Sequence, residues 1–164
     1  MQIRELAERA LEEACQSNLP ALEQGNADTE PLRTAAIIGF TGDQLRGTIA
    51  VAVGTNALVT VREHLGAGEA QAEDSLGETA NLIAGHLKRG LARYGQVITI
   101  TPPIVVRGVT IEVCNTGESC RAEHQSKTDD QNIVAWLDYE SAKDIELVEV
   151  PDDETVAEGE TLFF

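Results

Sequence analysis

The period of the apolar residues changes along this chain, and the order of the changes limits the fold more than any other feature. Ile3, Leu6, Ala7, Ala10, Leu11 and Ala14 recur at helical spacing. Two runs of strand character follow, 33–40 and 45–53, with TGDQ between them as a hairpin turn. In the second run Leu45, Ile49, Val51 and Val53 alternate with Arg46, Thr48, Ala50 and Ala52, giving one buried face and one mildly polar face. The helical period returns over 57–65, with Thr55 or Asn56 as a cap and Gly66 as a stop, and again from just after Gly68 to about Arg93. After that the runs are extended: 97–101, 104–106, 109–115, 119–124 and 133–139, while 145–150 suits either a strand or a helical turn. A doubly wound sheet needs strands and helices in alternation. This order predicts a segregated α+β fold instead, an antiparallel sheet with long helices packed on one face.

Composition narrows the function. The 164 residues are 42% hydrophobic but only 4% aromatic, which suits one domain with an aliphatic core. The domain is expected to span 1–150, followed from Pro151 by an acidic tail, 151–164, whose apolar end Leu162-Phe163-Phe164 could dock on something. Net charge is −16, from 28 acids against 12 bases, the wrong sign for nucleic acid or an anionic membrane surface. The N-terminal MQIRELAERALEEACQ does not resemble a signal peptide, and no run of about 18 apolar residues is present to span a membrane. Three cysteines, at 15, 114 and 120, form no CxxC pair and read as reduced, buried thiols of a cytoplasmic protein, although Cys114 and Cys120 could face each other across a hairpin. His64, His86 and His124 have no metal-ligand spacing, and there is no nucleophile elbow, GxGxxG or P-loop. No metal site or resident cofactor is therefore expected on this chain.

The stretch DSLGETANLIAGHLKRGL, residues 74 to 91, holds the candidate site. At roughly 100° per residue, Leu76, Ala80, Ile83, Leu87 and Leu91 fall on one stripe facing the core. Asp74, Glu78, Asn81 and Gly85 line the opposite side, with Leu82 exposed among them. Asn and Gly weaken a helix interior by roughly 0.7 and 1 kcal/mol relative to Ala. Gly85 either lets another surface come close or packs near a neighbouring strand. Lys88 and Arg89, below the group, read as ordinary surface charges.

Glu78-Thr79-Ala80-Asn81, preceded by Asp74 and followed by Gly85, resembles the signature helix of the CheX/CheC/FliY family of chemotaxis response-regulator phosphatases. That signature runs acid or Ser, three residues, Glu, two residues, Asn, with a Pro some twenty residues on. Pro102 and Pro103 lie in the right region but one or two positions short of the usual gap, which could move the supporting strand. The hairpin AAIIGFTGDQLRGTIAVAV and the strand ITITPPIVVRG extend the likeness over roughly 1 to 150, and the single motif copy resembles CheX-like members.

The resemblance implies a CheC/CheX-like fold, a homodimer, and hydrolysis of the aspartyl phosphate of a CheY-like receiver. Asn81 would orient the attacking water and Glu78 would pair with a receiver Lys. Asp74, Leu82 and Gly85 would form the docking surface. The Mg²⁺ would belong to the receiver. Two other readings stay open: a module of the same fold that docks a receiver or flagellar-switch partner without hydrolysis, and a dimeric scaffold whose Glu78 and Asn81 merely solvate a helix. An acidic receiver would also be repelled by this chain unless Lys88, Arg89 and Arg93 balance the docking face.

Overall fold

A computed structural model describes residues 2–22, 30–66, 71–115, 119–142, 145 and 147–151. The hairpin expected around TGDQ lies at the centre of the sheet. β1 (Thr34–Gly42) and β2 (Leu45–Val53) pair antiparallel with Ile38 opposite Ile49, so only Asp43 and Gln44 remain for the turn. β6 (Asn132–Ser141) lies on the other side of β2 with Leu137 opposite Ile49, and β5 (Cys120–Lys127) forms the far edge. The remaining side of β1 is shared. β3 (Ile98–Ile100) pairs with its C-terminal end and β4 (Ile104–Arg107) with its N-terminal end, both antiparallel.

Thr101-Pro102-Pro103 separates β3 from β4. Proline lacks the N–H that a ladder needs, so it interrupts the pairing at an edge where this is tolerated. Thr101 keeps the edge in register: its N–H donates to the Gly39 carbonyl at 2.9 Å, and its hydroxyl accepts the Gly39 N–H at 2.9 Å.

Three helices cover one face: α1 (Ile3–Asn18), α2 (Thr55–Leu65) and α3 (Ala72–Ala92). All five residues of the expected α3 stripe are at most 1% exposed, and they pack with Leu6 and Leu11 of α1 on Ile38, Ile49 and Leu137 of the sheet. The buried arc of α3 is wider than the apolar pattern implies, because Ser75 and Thr79 are also enclosed. Their hydroxyls donate to carbonyls one turn back, Ser75 to Gln71 (3.3 Å) and Thr79 to Ser75 (2.9 Å), which removes the cost of burying them.

α2 begins at Thr55, earlier than expected, and neither Thr55 nor Asn56 caps it. Gly54 occupies the cap position, and the Glu30 carboxylate accepts the N–H groups of Asn56 and Ala57, each at 2.9 Å. A distant carboxylate thus satisfies two orphan donors at the positive end of the helix. Gly66 ends α2 as expected, in the left-handed conformation with φ 70°.

The second face of the sheet is also covered, in part, and this corrects one expectation. Ala35, Ala50, Ala52, Val134 and Trp136 form a second buried cluster, with Ile111 and Val113 packed against it. The run 109–115, expected as a strand, is not one. It crosses the back of the sheet, tied by the Ile111 N–H to the Leu32 carbonyl (2.8 Å) and by Arg121 to the Val113 carbonyl (3.0 Å). Small alanines on this face leave a low floor on which a chain can lie. Described residues of 145–150 are in neither strand nor helix, although Leu147 joins the main core.

The thiols divide. Cys15 is buried, and burial pushes it up to about 12, whereas Cys114 and Cys120 are exposed, against the expectation for all three. The expected acidic tail beyond Pro151 lies outside the described residues.

Candidate functional site

α3 is packed on every side except one. It touches α1, α2, β1, β2, β3 and β4, and its N-terminal half runs beneath the interrupted β3–β4 edge. At Gly77 the missing methyl position faces Val105 Cγ2 at 3.5 Å and Pro103 Cγ at 3.7 Å, room for a methyl and little more. Arg107 of β4 reaches back to Glu73 of α3 at 3.0 Å. Pro103 and Val105 therefore brace the helix just before Glu78.

The free face carries the residues expected there. Asp74, Glu78 and Leu82 are exposed, Leu82 at 41%, and Asn81 and Gly85 are partly exposed. Asp74, Glu78 and Asn81 make no side-chain hydrogen bond or ion pair with any described residue. Neither Glu78 nor Asn81 is buried and held by a local hydrogen bond among the described residues, the arrangement that would have favoured a purely structural role. Glu78 and Asn81 are three residues apart, about 4.5 Å along the axis, so both can reach one small target.

Gly85 resolves one alternative. Among the described residues no strand atom comes within 4 Å of its missing methyl position, and, its chain neighbours aside, the one side-chain atom that does is Nη1 of Arg89, at 3.6 Å. The bare patch is open to the outside. That Arg89 folds back over it was not legible from spacing, nor was the bracing of Gly77 by Pro103. The one available signal was that Gly77 directly precedes Glu78.

The remaining candidates separate from this face. His124 Nδ1 lies 2.6 Å from Glu12 Oε2 and ties β5 to α1, and the hydrogen bond from His124 holds the Glu12 carboxylate below its usual 4.5. Among the described residues no group of three or more His, Cys, Asp or Glu could hold a metal ion, and no helix is long and apolar enough to cross a membrane. A cavity of about 540 Å³ lies on the far side of the sheet between Thr48, Asp138 and Cys114, away from α3.

These features define an α+β protein whose sheet displays one helix with an unpartnered carboxylate–amide pair. The sequence profile of the family described as chemotaxis phosphatase CheX matches residues 34–124, more than half of the chain, and the chain belongs to that family. Solved structures with the same fold include the chemotaxis protein CheX of Desulfovibrio desulfuricans (TM-score 0.63, 19% identity, covering 85% of this chain and 100% of that one). A CheX–CheY–BeF₃–Mg²⁺ complex from Borrelia burgdorferi is equally similar (0.63, 21% identity, 84% and 97%). A CheC-like superfamily protein from Shewanella sp. PV-4 matches at 0.64 with 18% identity (86% and 100%). No curated protein matches the chain in sequence.

Proposed function

We propose that the chain is a phosphatase for a CheY-like receiver and that α3 enters the receiver's active site. The observation that carries this reading is the pair Glu78 and Asn81, unpartnered among the described residues and directed outward from a helix otherwise packed on all sides. Membership of the CheX family supports the same reading, and a relative of the same fold is known bound to CheY.

An acyl phosphate is already activated, so hydrolysis needs a water in line with phosphorus more than a nucleophile on the enzyme. The Asn81 amide accepts one hydrogen bond and donates another, enough to hold a single water in orientation. The water oxygen bonds to phosphorus as the bond from phosphorus to the aspartyl oxygen breaks, leaving a carboxylate and inorganic phosphate. Glu78 pairs with a receiver Lys and fixes the approach. Asp74, Leu82 and the open patch at Gly85 complete the contact. The Mg²⁺ is the receiver's, and the setting is cytoplasmic because the substrate is.

A docking module without turnover uses the same face, so one experiment separates the two. A phosphorylated receiver is mixed with the protein and loss of the phosphoryl group is followed. Acceleration that Asn81→Ala removes, with Glu78→Ala weakening binding, supports the phosphatase. Binding without acceleration supports the docking module. A homodimer is proposed through β4, whose outer edge carries the exposed Ile104, Val105 and Val106. Sedimentation should give twice the chain mass, and Ile104→Lys should give the monomer.

A further inference from the structure

Eight of the eleven described lysines and arginines of this acidic chain have contacts that account for them or lie off α3. Arg4, Arg46, Arg107 and Arg121 pair with carboxylates, and Arg9 lies on Tyr94. Lys88, Arg89 and Arg93, on the last two turns of α3 and just beyond, are exposed and have no ion pair among the described residues. The simplest reason for cations there is the negative end of the helix dipole. That reason does not cover Arg89. No hydrogen bond joins its guanidinium to a C-terminal carbonyl among the described residues. It lies 3.6 Å from the missing methyl position of Gly85, one turn toward the N-terminus, in the direction that helical side chains lean. By angle Arg89 falls within about 20° of Glu78, on the same exposed stripe.

We propose that Arg89 is a docking residue of the Glu78–Asn81 face and that it engages a carboxylate on the receiver beside the phosphorylated aspartate. This rests on the reading of α3 as the receiver-binding helix. The bare Gly85 is the seat that lets the guanidinium lie along the helix, about one turn from Asn81. The face is then ordered along the axis as carboxylate, amide, gap and guanidinium, a charge pattern that fixes the direction in which the helix meets its partner. The target must be anionic, and Arg89 gives a −16 chain a local attraction for an acidic surface.

The test measures steady-state hydrolysis of a phosphorylated CheY-like receiver and, separately, affinity for the same receiver loaded with beryllium fluoride. Wild type, Arg89→Ala, Arg89→Lys and Gly85→Leu are compared at about 50 mM and about 500 mM salt. Arg89→Ala should raise KM and Kd about tenfold at low salt with kcat within about twofold, and the gap should close at high salt. Arg89→Lys should recover part of the loss. Gly85→Leu, which fills the seat and is a better helix former, should reproduce the defect with Arg89 intact. A fall in kcat at unchanged KM would mean that Arg89 contacts the phosphoryl group, and would overturn the docking role. Unchanged KM and Kd would also overturn it while leaving the phosphatase reading intact. A wild type that binds without hydrolysis, with Kd raised by Arg89→Ala, upholds Arg89 and removes the phosphatase reading. A wild type that does neither overturns both.

Discussion

Gly85→Ala should make this protein more stable and less active, and the two effects can be measured separately. Glycine in a helix interior costs roughly 1 kcal/mol relative to alanine, through the greater freedom of the unfolded chain. Recovery of that sum requires that the new methyl meet nothing hard. The added Cβ would lie 3.6 Å from Arg89 Nη1, an ordinary contact with the end of a flexible side chain, and, chain neighbours aside, no other described side chain stands within 4 Å. The full gain of about 1 kcal/mol is therefore expected, which for a domain of this size raises Tm by roughly 2–4 °C. Calorimetry or urea unfolding reads the gain. In the proposed complex the same methyl stands on the patch that the receiver meets, so kcat/KM for phosphoreceiver hydrolysis should fall, by about fivefold for a partly lost contact. A Tm that falls would refute the open patch at Gly85. A Tm that rises with undiminished activity would refute its use as a contact surface.

Glu30→Ala removes both side-chain acceptors at the start of α2 and should cost about 1–2 kcal/mol in urea unfolding, with a loss under about 0.3 kcal/mol excluding the remote cap. The Glu12–His124 contact should make stability acid-sensitive. A carboxylate whose folded pKa is depressed contributes stability above its unfolded value, and the contribution is lost as pH falls through the folded one. The Tm advantage of wild type over Glu12→Gln should thus be present at pH 6 and shrink below about pH 4.5, and an advantage that persists at pH 2.5 would contradict the pairing. Two of the three thiols, Cys114 and Cys120, should react rapidly with a disulfide reagent in the native protein, and Cys15 only after unfolding; three rapid thiols would contradict the burial of α1.

The parts of this fold that can be read without coordinates are those governed by local period. The 21 residues of α3 repeat their angle often enough that both stripe and free face are determined, down to exposed Leu82, whereas the surroundings of Gly85 needed the structure. The hairpin is legible for the same reason. Where the sequence misleads, the cause is a partner distant in the chain. Val109, Ile111 and Val113 alternate as a strand does, but a strand also needs an unpaired edge to bind, and this segment finds an alanine floor instead. The cap of α2 comes from Glu30, 26 residues before Asn56, and no capping pattern spans that gap. Within the site, Asp74, Glu78 and Asn81 are local and legible, whereas the seat of Arg89 on Gly85 depends on which way a long side chain leans.

The central claim is that Asn81 places the hydrolytic water. The direct measurement is the decay rate of a phosphorylated CheY-like receiver with wild-type protein and with Asn81→Ala, alongside the affinity of each for the beryllium fluoride form. Loss of a water-orienting amide should cost on the order of 10²–10³ in rate, with affinity within about threefold of wild type. Acceleration that survives Asn81→Ala, at equal affinity, would contradict the account.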